Sequence, residues 1–424
     1  MSNGTRIEGD ELLKQARHCL ASFVEPLLAQ LAPRVDPRLM RSFREAFGAI
    51  LTGHDARSSL LLTSFADAAP VTSRRLIHTV KRFHRFLRND GWSDDDLKEY
   101  VLQRSLSGEG SNKDELLVVD LSGCEKKYAK KMEQLCNIRD TDGGLGERKV
   151  TQGYPFLMAV RTSLAKGPAK LVSWQLFSYT APDFLSQNLV EWQFIQSLWQ
   201  RFGQRVVFTM DRGFGRFTLL GDMACLGMRF VVRLKGDSKV DSGDDRLISL
   251  KWLAYAMALV HCKRVYCTVE GRYKIARYGW RKVKRPEVKG DLYLVIEWLE
   301  EEKEPWILLT NELVQSAEDA WRIIRIYWRR MEVEQTLRYL MSELGIESFR
   351  VRSIEAIKKL FALAMTVLAC LVELFEAEPE LVEALCRLGR WLGLKGEKPT
   401  LYKLRWGLRR LLLSALPQPP GSYG

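Results

Sequence analysis

The 424-residue chain is 46% hydrophobic and 28% charged, which excludes a disordered basic tail and leaves room for a large core in two or three folding units. Its 65 Lys and Arg against 52 Asp and Glu give a net charge of +13, a surplus that in a folded chain favours a polyanionic partner, above all nucleic acid. Eight cysteines without a CxxC pair and five scattered histidines argue against a zinc finger or a histidine-based metal site and fit buried cytosolic thiols. Residues 1–15 lack the apolar core of a secretion signal. The longest apolar run, 360–375, is too short for a membrane span and contains Glu373. A cytoplasmic protein with no membrane partner is expected.

In chain order, residues 1–110 predict a helical region with breaks at 33–37 and 69–70. One helix runs from an N-cap at Thr72 or Ser73 to a stop at Asn89-Asp90-Gly91, with Leu76, Val80, Phe83 and Leu87 on a core-facing seam. Arg74, His78, Lys81, Arg85 and Arg88 recur along another face, and no acid interrupts them. A solvated face is the plain reading of such a stripe; the missing acids favour one that lies on phosphates or enters a major groove.

From residue 111 the texture changes to strands. DELLVVDLSG and VVFTMDRGFG share one form: a short apolar run, a terminal acid (Asp120 or Asp211), then a small-residue turn. Asp-Arg-Gly is ordinary turn composition, yet the C-terminal edge of an open α/β sheet is also where ligands gather, so both readings stand at this point. Further strands at YPFLMAVRTS, KLVSWQLFSY and MRFVVRLKG, with helices at 184–202 and up to about 226, imply a mixed α/β sheet holding both acids side by side. Residues 237–312 form a β-rich insertion carrying Trp280, Trp298 and Trp306. SAEDAWRIIRIYWRRMEVEQTLRYLMSELG then predicts one long helix, with Ser316 and Asp319 as a capping box. Residues 351–424 are helical and end in a basic amphipathic segment whose Arg405, Arg409 and Arg410 are candidates for DNA or a second subunit.

Two acids brought together at a sheet edge repel, and a divalent cation relieves that repulsion. A site for phosphodiester chemistry needs a third acid, and YWRRMEVE supplies one. Asp120, Asp211 and Glu334, with Tyr327 and Arg330, resemble the catalytic set of DDE transposases of bacterial insertion sequences. Tyr327, Arg330 and Glu334 match the first three positions of that group's Tyr-x2-Arg-x3-Glu-x6-Lys signature, and DRGFG is similar to its second-Asp segment. Met341 stands where the signature has Lys. Offsets of 3 and 4 along one helix put Tyr327, Arg330 and Glu334 on one face, whereas Glu332 lies roughly 200° around from Glu334.

The resemblance, covering residues 113–344, implies an RNase H-like catalytic core (111–236 and 313–350) interrupted by the β-rich insertion (237–312) and flanked by the helical regions 1–110 and 351–424. It implies that Asp120, Asp211 and Glu334 hold two Mg²⁺ ions, replaceable by Mn²⁺. Tyr327 and Arg330 would hold the DNA strand, with Arg338 as a stand-in for the missing Lys; Lys126, Lys127, Lys130 and Lys131, close behind Asp120, would meet phosphates. It further implies cleavage and strand transfer at inverted-repeat DNA ends into target DNA by a homodimer, and an insertion aromatic that stacks on a flipped base. Trp298, alternating with Ile296, is expected in the core. The rivals are a domesticated DNA-binding regulator that does not cut, and a nuclease without strand transfer.

Overall fold

The structure, a computed structural model, describes residues 9–53, 60–69, 75–107, 115–139, 150–165, 167–243, 246–267, 270–389 and 398–414. Five helices lead these residues: α1 (Gly9–Leu31), α2 (Pro37–Thr52), α3 (Leu62–Ala68), α4 (Leu76–Leu87) and α5 (Asp94–Leu106). Then come β1 (Glu115–Glu125), β2 (Cys136–Arg139), β3 (Val150–Ser163), β4 (Lys170–Leu176), α6 (Gln187–Phe202), β5 (Val206–Met210), α7 (Phe217–Cys225) and β6 (Arg229–Arg233). The segment expected as an insertion holds β7 (Lys239–Asp241), β8 (Leu247–Ser249), α8 (Leu250–Ala256), β9 (His261–Cys267), β10 (Arg272–Arg285), β11 (Val288–Leu299) and β12 (Trp306–Thr310). Five helices follow: α9 (Ala317–Trp328), α10 (Met331–Ser342), α11 (Ile354–Phe375), α12 (Pro379–Leu388) and α13 (Leu401–Ser414).

The strands join in the order β2-β3-β1-β5-β6-β12-β11-β10-β7-β8, with β4 on β3 and β9 on β10. β4, β3 and β1 are antiparallel neighbours, and β5 and β6 continue parallel to β1, which is the RNase H-like mixed sheet expected from the sequence. The insertion does not hang free of it. β12 pairs antiparallel with β6, and β11 and β10 extend the same sheet outward.

Period-2 alternation decides which side chains each face receives. Leu117, Val119, Phe208, Met210 and Val232 bury one face under α6, α7 and α8, while Leu116, Val207, Val231, Val295 and Leu308 bury the other under α9. The third core gathers the N-terminal helices around α11, whose 354–375 run is buried along most of its length, and presses on Val118 and Phe156 of the sheet. No single described helix is long and apolar enough to cross a membrane, although α11 and α12 pass that test as a pair bent by 114°. All eight cysteines are free thiols, four of them buried.

Several expectations change. The turn expected after Asp120 is continued strand: β1 runs on to Glu125, paired along β3 as far as Gly153. Its small residues serve close packing, since a Cβ at Gly123 would meet Ile138 Cδ1 at 2.7 Å and one at Gly153 would meet the Cys124 carbonyl at 2.3 Å. The single long helix is two helices, α9 and α10, parted at Arg329-Arg330. There the Arg330 amide bonds the Tyr327 carbonyl and the Val333 amide bonds that of Arg330, both at 3.0 Å, a tightening to i→i−3 spacing. The Arg329 side chain anchors the break to Thr162 Oγ1 at 2.6 Å and the Gly167 carbonyl at 3.1 Å. The capping box at Ser316 and Asp319 is present, at the start of α9.

Helix α4 starts at Leu76; the N-cap expected at Thr72 or Ser73, and Arg74 with it, lie outside the described residues. Phe83 and Leu87 are buried as expected, but Leu76 is exposed and Phe86 completes the seam.

Candidate active site

Asp120 and Asp211 come together through strand pairing. β1 and β5 are parallel with Val119 opposite Met210, so each acid stands one residue past that pair, on the α9 side, with strands roughly 4.8 Å apart. Asp211 begins a tight turn: its Oδ1 accepts from the Gly213 amide at 2.8 Å, and a Cβ on Gly213 would stand 3.0 Å from that oxygen. The segment is therefore a turn as well as an acid at a sheet edge, so both readings of DRGFG describe it. Asp120 Oδ1 accepts from the Leu121 amide at 3.1 Å.

Glu334 arrives from the first turn of α10. Between it and the sheet lies Arg330, whose guanidinium stands 3.7 Å from Asp120 Oδ2 and forms an ion pair with Glu334. Burial pushes the Asp120 carboxyl up to about 7; the Arg330 cation opposes this shift, and the neighbouring Asp211 and Glu334 charges reinforce it. Glu332 points elsewhere and pairs with Arg329 at 2.8 Å. Tyr327 is buried, its ring edge-on to Trp306 at 5.1 Å and 5.8 Å from the Arg330 guanidinium. Burial raises its hydroxyl pKa, against the cations of Arg330 and Arg233.

The structure thus brings together Asp120, Asp211, Glu334, Arg330 and Tyr327. Arg338 is exposed one turn along α10 from Glu334, and Met341 is half-buried against the helical core. Lys127, Lys130 and Lys131 are exposed, and Lys127 pairs with Glu125 at 3.0 Å.

Lys126 is a correction. Its ammonium is buried on the Phe349 ring at 3.3 Å and donates to the carbonyls of Phe349, at 3.0 Å, and of Glu347. Burial lowers its pKa to about 8. Turned inward, it is not placed to meet phosphate. Arg405 is another: 3% exposed, it donates to the carbonyls of Ile50, Leu51 and Glu343 at 2.8, 3.1 and 2.6 Å, tying the ends of α2 and α10 to α13. Of the α4 stripe, His78, Lys81, Arg85 and Arg88 are exposed. Trp298 is half-buried and not core, its Nε1 donating to the Glu302 carbonyl at 2.9 Å.

Sequence reasoning missed Arg233. It lies one step past the Met210–Val232 pair, so it faces the same side as Asp211, and it packs over Trp306 at 5.4 Å. It also lines a cleft of about 360 Å³ with Arg212, Lys235, Lys251 and Tyr255. The signal was available in RFVVR, where alternation from Val231 puts residue 233 on the α9 face.

Residues 190–370 match the family described as the transposase DDE domain. Over those 181 of the 424 residues the chain is similar to a transposase DDE domain. The matched span includes Asp211 and Glu334 and begins after Asp120. No curated protein matches the chain. Among solved structures it is similar to a piggyBac transposase synaptic complex with hairpin DNA, at 10% identity over 96% of this chain and 83% of that one, TM-score 0.47. It is also similar to the Drosophila P element transposase strand transfer complex, at 11% identity over 96% of this chain and 79% of that one, TM-score 0.21. Scores this low carry no argument about this chain.

As placed, the described residues do not gather three metal-ligating groups around one point; the Arg330 guanidinium lies among the acids instead. The donor chemistry still fits a hard divalent ion. Three carboxylates offer oxygen alone, and a second cation would relieve both the burial of the Asp120 charge and its repulsion by Asp211 and Glu334.

Proposed function

We propose that the chain is a DDE transposase that cleaves DNA and transfers strands at the inverted-repeat ends of an insertion sequence, by a cut-and-paste route that uses Mg²⁺ or Mn²⁺. The observation that carries the reading is that Asp120 on β1 and Asp211 just past β5 stand beside each other on adjacent parallel strands, with Glu334 of α10 paired to the Arg330 that reaches Asp120. These acids would hold the ions, whose chemistry is to activate an attacking oxygen and stabilise a leaving one. Arg330 has a second role open to it: a guanidinium that pairs with carboxylates here pairs equally well with a phosphate that approaches them. The Tyr327 hydroxyl, edge-packed by Trp306, is held on the same side. Exposed Arg338, Lys127, Lys130 and Lys131, and the α4 residues Lys81, Arg85 and Arg88, are proposed as phosphate contacts, and a homodimer is proposed to pair the two ends.

The test is Asp120→Asn assayed on DNA carrying the element's ends. Loss of cleavage with retained binding supports the reading; retained cleavage removes it. Joining of precut ends separates a transposase from a nuclease that cannot transfer strands.

A further inference from the structure

The outer end of the sheet carries a surface that the proposed chemistry does not use. Antiparallel pairing of β9 with β10 sets Tyr266 opposite Tyr273, Arg264 opposite Ile275 and Cys262 opposite Arg277, and cross-strand partners share a face. That face is open. Tyr266 is 54% exposed, Tyr273 56% and Ile275 42%, with Arg264 and Arg277 exposed between them. The two tyrosine rings touch edge to face at 5.2 Å, and the Arg264 guanidinium lies over Tyr273 at 4.4 Å. Toward the core the face continues through Trp298, which is opposite Arg277, to Tyr255, in edge contact with Trp298 at 5.1 Å. Tyr255 in turn lines the basic cleft that contains Arg212, the residue after Asp211.

Charge decides what such a face suits. Of the nearby acids, Glu300 accepts from the Ile275 amide at 3.0 Å, Glu270 and Glu301 pair with Arg272, and Asp237 and Glu304 line the cleft together with Arg212, Arg233, Lys235 and Lys251. Among the described residues no carboxylate forms an ion pair with Arg264 or Arg277. Exposed rings interleaved with unneutralised guanidinium groups match bases and phosphates in turn, and rings accept bases only where those bases are unpaired.

We propose that the β9–β10 face, with Tyr266, Tyr273, Arg264 and Arg277, binds a stretch of DNA strand whose bases are unpaired, continuous with the cleft beside Asp211. The proposal rests on the reading that the chain acts on DNA. The experiment measures fluorescence anisotropy of the full chain with labelled oligothymidine and with a duplex of equal length. The combined Tyr266→Ala and Tyr273→Ala variant is expected to lose tenfold or more in oligothymidine affinity and less than twofold for duplex. The corresponding Tyr→Phe variant keeps the wild-type value, because the ring and not the hydroxyl meets the base. Equal losses on both DNAs, no loss on oligothymidine, or no oligothymidine binding by the wild type would overturn it. So would variants that change only self-association in sedimentation, which would assign the face to a second copy. Failure of the Asp120→Asn test leaves these affinities untouched, so the two readings fall separately.

Discussion

At the residue scale, Asp120 and Arg330 set the electrostatics of the site. With its carboxyl raised from 3.8 to about 7 in the folded chain, Asp120 holds its proton more tightly than when unfolded. Stability therefore falls as pH rises between about 4 and 7, because in that range unfolding releases the proton that the folded state holds. Asp120→Asn removes that term, and urea unfolding at pH 8 should show a gain on the order of 1–3 kcal/mol while cleavage is lost. In the absence of divalent ions, an NMR titration of the folded chain should show the Asp120 carboxyl losing its proton near 7. Arg330→Gln takes away the cation that opposes the shift, so that midpoint should move to higher pH. An unmoved midpoint would mean that Arg330 does not govern Asp120. The choice of these acids was legible in the sequence, because each Asp closes a short apolar run and the Tyr327, Arg330, Glu334 spacing selects one Glu. That Arg330 would stand among them was not, since the tightening at Arg329-Arg330 contains neither Gly nor Pro and its anchors lie at Thr162 and Gly167.

At the element scale, strands and helices were readable by period, and their ends were not. β1 continues past Asp120 because β3 reaches it from 14 residues of paired strand, a tertiary fact that DLSG alone does not state. Gly153→Ala should therefore destabilise the chain by roughly 2 kcal/mol or more, since the new methyl would lie 2.3 Å from the Cys124 carbonyl; thermal unfolding checks it. Lys126 and Arg405 misled for a related reason. Each looks like surface charge in sequence, and each is claimed by carbonyls more than 60 residues away or, for Lys126, more than 220. Arg405→Leu should cost about 3 kcal/mol by leaving those carbonyls without a donor, with no change in the salt dependence of DNA binding.

At the scale of the whole molecule, the surplus of positive charge predicts binding that weakens steeply with salt. Replacing Lys81, Arg85 and Arg88 together by Gln should lower the slope of log affinity against log salt by up to about 3, and Lys126→Gln should leave it unchanged. A slope that ignores the α4 changes would move the phosphate contacts to another surface. Charge and composition pointed to nucleic acid from the outset, but not to which basic groups are spent inside the fold; only packing separates the two kinds.

The unbroken run of strands from β5 through β6, β12, β11 and β10 to β9 makes the protein a ruler. Five inter-strand steps at about 4.8 Å each set β9 roughly 24 Å from β5, the strand that leads into Asp211. A hydrogen-bonded sheet does not stretch, so a strand gripped at β9 would meet the acids at one fixed count of nucleotides, and the place of the cut would be measured by the backbone as well as read from the bases.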